Sequence, residues 1–131
     1  MESFRIYAGG AFATTPHDLI VSGPFDGKPF ARTFKAGMEE YEKSVNAALD
    51  AAKLLRKMPS FGRSRILREI YEKIMAREEV FAGIIAREAA KPWRYALAEV
   101  RRAAQTFFVA SEEARRMPGE YLSLNHYCHD R

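Results

Sequence analysis

The residues best suited to chemistry lie at three places in the chain. Near the C-terminal end, His126, Cys128 and His129 put a thiol between two imidazoles. Such a group could activate a nucleophile or begin a metal site. A tetrahedral zinc site needs a further cluster to complete it, and none is present in the sequence. A terminal heptapeptide also has little to hold its geometry, so residues 125–131 are expected to be a disordered tail. Cys128 has no glycine beside it to bring backbone amides round a developing oxyanion, and is expected to behave as an ordinary exposed thiol. Gly27-Lys28 places a glycine beside a cation, as phosphate cradles do. It lacks the spaced glycines and the following helix, so a turn is expected instead. Glu88 continues the helical stripe of Phe81, Ile84 and Ile85, which would carry a carboxylate toward the core side of its helix. Local satisfaction by Lys91, an arginine or a helix N-terminus is the expected arrangement. No residue is assigned as catalytic, cofactor-binding or metal-ligating.

The elements that would position these groups follow from periodicity. Residues 4–34 read as two hairpins. Phe4–Tyr7 and Ala11–Thr14 flank Gly9-Gly10, and Leu19–Val21 and Phe30–Phe34 flank a turn containing Pro24 and Asp26-Gly27. From Met38 the period becomes helical, with helices expected near 38–57, 61–76, 78–89 and 93–117. In the first, Tyr41, Val45, Ala48, Leu49, Ala52 and Leu55 share a face. In the second, Ser60 is a candidate N-cap and Leu67, Ile70, Tyr71 and Ile74 form the apolar side. In the last, Ala96, Val100, Ala103, Ala104, Phe107, Ser111 and Ala114 fall together, and Pro118-Gly119 stops the helix. From Pro92 to Met117 that helix would span about 39 Å, against about 36 Å across a compact domain of this length. It is therefore expected to lie against something larger, with the face of Val100, Ala104, Phe107 and Ser111 poorly covered. The fold class is mainly α with N-terminal β-hairpins, in one domain of 131 residues.

Composition narrows the classes. A hydrophobic fraction of 47% is that of an ordinary globular chain. The formal charge of +4 and a pI near 9.3 permit an acidic partner without requiring one. Arg63, Arg65, Arg68, Arg101-Arg102 and Arg115-Arg116 alternate with glutamates, as on solvated helix faces, so no nucleic-acid partner is expected. Glu112 stands four residues before Arg116, the favourable order for a helical ion pair. One cysteine precludes an internal disulfide, and neither a signal segment nor a membrane span is evident. A cytoplasmic protein is expected.

Several local patterns occur in a telling order. They are Ile6-Tyr7-Ala8-Gly9-Gly10-Ala11-Phe12, then Val21-Ser22-Gly23-Pro24-Phe25-Asp26-Gly27, then Val45-Asn46-Ala47-Ala48-Leu49-Asp50-Ala51-Ala52, then Arg65-Ile66-Leu67, and finally Glu88-Ala89-Ala90-Lys91-Pro92 followed by Glu99-Val100. Together, over residues 4–122, the chain resembles the N-terminal segment of the NAD(P)-dependent aldehyde dehydrogenase superfamily. Phe12, Gly23 and Ala90 stand where that family usually has tryptophan, asparagine and glycine. Ala90 replaces a residue free to adopt positive φ, so the turn before Pro92 is expected to differ.

The resemblance implies the N-terminal part of an α/β fold whose members oxidise aldehydes with NAD or NADP. Their chemistry uses a cysteine thiolate, oxyanion donors and a glutamate base. In the family these groups, and the Gly-rich cofactor turn, lie downstream of the segment seen here. Pro92-Trp93 is superficially similar to an active-site motif of that family, but Arg94 stands where its asparagine would be. The chain is thus expected to be a truncated or split part, inactive alone and without a cofactor of its own. Self-association, or docking on a related dehydrogenase subunit through an exposed helix face, is the expected partnership. A small helical interaction module docking on a partner subunit is the alternative.

Overall fold

The computed structural model describes residues 1–116. Five short strands precede four helices: β1 (Glu2–Ser3), β2 (Ile6–Ala8), β3 (Ala11–Ala13), β4 (Asp18–Ser22), β5 (Pro29–Phe34), α1 (Met38–Lys57), α2 (Ser60–Met75), α3 (Glu78–Ala89) and α4 (Trp93–Glu113). Both expected hairpins form. β2 and β3 pair antiparallel with Tyr7 opposite Phe12, joined by Gly9 at φ 61° and Gly10 at φ 87°. β4 and β5 pair antiparallel, and β5 also takes β1 alongside it in parallel. This last pairing was not foreseen, because a two-residue strand carries no period to read.

The β2–β3 hairpin sits on α1. The Gly9 N–H donates to Ser44 Oγ at 3.1 Å, and Ser44 Oγ donates on to the Glu40 carbonyl at 2.7 Å. A Cβ at Gly9 would come within 3.2 Å of Lys43 Cβ, so close approach and positive φ both require glycine there. The Glu40 carboxylate accepts the Gly37 N–H at 2.8 Å and closes one half of a capping box. At the other end, Met58 is extended and Pro59 follows, which ends α1. Pro59 itself occupies the N-cap of α2. Ser60, expected as the cap, is the first helical residue instead.

The core lies among the last three helices. Ala82, Ala96 and Val100 are buried together, with Ile74, Ile85, Ala86 and Leu97 packed against them. The apolar side of α2 forms as expected, with Leu67, Ile70, Tyr71 and Ile74 all half-buried. Tyr71 meets Phe108 of α4 edge-on, with ring centroids 5.3 Å apart.

Three expectations about faces are corrected. The seam of α3 is Ala82, Ile85 and Ala86, while Phe81, Ile84 and Glu88 are exposed. Glu88 therefore points away from the core: the small Ala82 and Ala86 at i and i+4 let α4 come close, and the stripe of Phe81 and Ile84 is rotated outward. On α4, Val100 is 3% exposed and Ala104 and Ser111 are fully buried, so the face expected to be bare is covered by α2 and α3. Ala103, assigned to that face, is exposed. The bare face belongs to α1, which has no buried residue and whose main neighbour is β2. The last helix was expected to reach 117, but α4 ends at Glu113 with Ala114 as its C-cap, so it stops short of Pro118-Gly119, which lie outside the described residues.

Candidate functional site

The α3–α4 junction holds Glu88, Lys91 and the Ala90 turn singled out from the sequence. α3 ends at Ala90, which adopts φ 50° and ψ 32°. The turn that was expected to differ keeps the left-handed conformation a glycine would take, and alanine bears the strain. Pro92 then serves as the N-cap of α4 at φ −55°. Ala90→Gly is expected to stabilise the chain by about 1 kcal/mol, because removing Cβ relieves the left-handed strain by more than the added unfolded-state entropy costs. Urea denaturation of the two chains checks it, and an unchanged or lower midpoint for the glycine variant counts against this strain.

Two ion pairs clamp the helical hairpin. Near the turn, Lys91 Nζ pairs with the Glu99 carboxylate, so Lys91 is not used on Glu88. At the far end, Arg101 reaches Glu78 through Nε at 3.0 Å and a second nitrogen at 3.3 Å. The hydrogen bond from Lys91, then its charge, holds the Glu99 carboxyl below the usual glutamate value of 4.5. The hydrogen bond from Arg101 does the same for Glu78. Since both folded pKa values lie below the unfolded ones, their contribution is present above about pH 4.5 and is lost as pH falls through the depressed values. The thermal midpoint should therefore fall less on acidification in a Glu78→Gln, Glu99→Gln double variant than in the parent. Parallel acid profiles would count against the clamp.

Glu112 does not pair with Arg116. Its carboxylate accepts from Arg68 of α2 at 2.6 Å, and the Arg68 guanidinium lies over the Phe108 ring at 4.3 Å, while Arg116 lies 3.7 Å from Glu113. The partners are 44 residues apart, so no local spacing signals the contact. The groove beside them, about 500 Å³, is lined by Arg65, Arg68 and Arg115 together with Glu69, Glu72 and Glu112, and its charges balance. A second groove of about 310 Å³, between Phe81, Ile85 and Val100, is almost wholly apolar.

The remaining candidates are quickly placed. The Gly27 N–H donates to the Gly23 carbonyl at 2.8 Å, the Gly23 N–H to the Lys28 carbonyl at 3.0 Å and the Lys28 N–H to Asp26 Oδ1 at 3.1 Å, so that turn spends its amides on itself. Among the described residues no cluster of three metal-ligating side chains occurs, and no helix is long and apolar enough to cross a membrane. His126, Cys128 and His129 lie outside the described residues.

A sequence model of the aldehyde dehydrogenase family matches residues 13–130. The chain belongs to the aldehyde dehydrogenase family. The match runs past residue 122, to which the resemblance was read from the sequence. Among curated relatives, 3-sulfolactaldehyde dehydrogenase of Priestia aryabhattai is 31% identical over 120 residues, which are 92% of this chain and 25% of that protein. Mitochondrial succinate-semialdehyde dehydrogenase of Rattus norvegicus is 30% identical over 88% of this chain and 22% of its own length. Among solved structures, aldehyde dehydrogenase 21 of Physcomitrella patens, in complex with succinate, superposes with a TM-score of 0.91 at 25% identity, over 96% of this chain and 26% of that one. NADP-dependent glyceraldehyde-3-phosphate dehydrogenase of Bacillus halodurans, complexed with NADP, gives 0.91 at 25% identity, over 100% and 28%. The chain spans about a quarter of the length of the relatives it matches.

Proposed function

We propose that this chain is the N-terminal part of an NAD(P)-dependent aldehyde dehydrogenase, and that it supplies fold rather than chemistry. The parent reaction is oxidation of an aldehyde to an acid. The observation carrying this reading is that nearly the whole chain aligns with only a quarter of each relative. Residues 1–124 are taken as the family segment and 125–131 as its tail, although the family model matches as far as residue 130. Neither NAD nor NADP is assigned a site in this chain, and a cytoplasmic location is part of the same reading.

The ion pairs of the α3–α4 hairpin support a structural role, since the Glu78 and Glu99 carboxylates are each taken up by a cation of the same hairpin. The purified chain is expected to form no NADH or NADPH from small aliphatic or aromatic aldehydes. Steady cofactor reduction that survives repurification and follows the protein peak would overturn the proposal. The exposed apolar face of α1 favours a second reading, a helical module that associates with another copy or with a related dehydrogenase subunit.

A further inference from the structure

α1 presents an amphipathic surface that nothing in the described fold covers. Tyr41, Val45, Ala48, Leu49, Ala52 and Leu55 recur at helical spacing along one stripe. Tyr41 is 62% and Leu49 60% exposed, and Val45 and Leu55 are exposed as well. The whole chain exposes 10965 Å², where a compact monomer of 14.9 kDa exposes about 7000 Å².

The charges of the helix indicate the occupant. Its first turn carries Glu39 and Glu40 and its last turn Arg56 and Lys57, so the helix is acidic at one end and basic at the other. A second α1 laid antiparallel brings opposite ends together, and the helix dipoles also oppose. At 100° per residue, Glu42 and Arg56 lie on the same flank of the apolar stripe. In a two-fold antiparallel pair one flank of each helix comes to the same side. Centred near Ala48 and Leu49, such a pair sets Tyr41 against Leu55 of the other copy and Glu42 beside its Arg56. Within the described residues neither Glu42 nor Arg56 makes an ion pair. Ala48 and Ala52, small and on the stripe, allow the two backbones to approach closely.

We propose that α1 is a docking surface for a second copy of this chain, through an antiparallel, two-fold α1–α1 pair. The inference deepens the self-association reading given above and does not depend on the assignment of the parent reaction. Loss of that assignment would show in the aldehyde assay, whereas loss of this proposal shows in the mass of the chain.

The test is sedimentation of the full 131-residue chain over a wide concentration range, with circular dichroism to confirm that each variant keeps its helix content. The parent chain should rise from 14.9 kDa toward twice that mass. Leu49→Glu should remain monomeric throughout. Glu42→Lys should weaken association about tenfold, and adding Arg56→Glu to it should restore affinity to within about threefold of the parent, an effect that lost helix propensity alone would not give. A parent chain monomeric at every concentration overturns the proposal. So does association that survives Leu49→Glu, or charge reversal that the double variant fails to rescue. Complex formation only with a full-length dehydrogenase, and never with itself, also overturns it.

Discussion

Val100→Asp is expected to cost about 4 kcal/mol and to leave the chain largely unfolded. Val100 is 3% exposed between Ala82 and Ala96, with Ile74, Ile85, Ala86 and Leu97 around it. A carboxylate there would find no hydrogen-bond donor among those side chains, and an unpaired buried charge is among the costliest single changes. The cost is comparable with the whole stability of a small domain, roughly 5 kcal/mol at the lower end. Ala103→Asp, three residues along the same helix, should shift stability by less than about 0.5 kcal/mol, because Ala103 is exposed. Urea titrations of both variants make the comparison. Similar losses at the two positions would mean that α4 is not seated on α2 and α3 as described.

Amide exchange should divide the helices more sharply still. In dilute chain, the backbone of α1 around Ala47–Ala52 is expected to exchange about 1000-fold faster than that of α4 between Val100 and Ser111. α4 opens only when the core between α2, α3 and α4 is lost, whereas α1 has little tertiary contact beyond the hairpin on Gly9. Most helix stability in a protein comes from tertiary packing, which α1 largely lacks, so α1 should open locally. Equal protection in the two helices would contradict the low burial of α1.

Much of this arrangement was legible in the sequence. Helical period located all four helices, and Gly9-Gly10 located the first hairpin, because both signals are local. The apolar side of α2 was also legible, since Leu67, Ile70 and Tyr71 are large and evenly spaced. The seam of α3 was hidden by size. Phe81 and Ile84 dominate a reading by hydrophobicity, but Ala82 and Ala86 are what allow α4 to come close. Long-range pairs were out of reach for a different reason: Arg68 with Glu112 and Glu78 with Arg101 depend on how helices cross. Ala90 was read as a departure that should alter its turn, yet the following Pro92 and the Lys91–Glu99 pair accompany a left-handed alanine. As for a site, the order of short motifs carried the family, and no single residue did.

The large exposed area has a calorimetric consequence. An unfolded chain of this mass exposes about 21,600 Å², so folding to 10965 Å² removes only about three-quarters of the area that a compact monomer would. Heat capacity of unfolding follows the apolar part of that area, and about 1.7 kcal/mol/K would be usual for 131 residues. The monomer falls short of that value in the same proportion. Its free energy is accordingly a flatter function of temperature, with a broad melting transition.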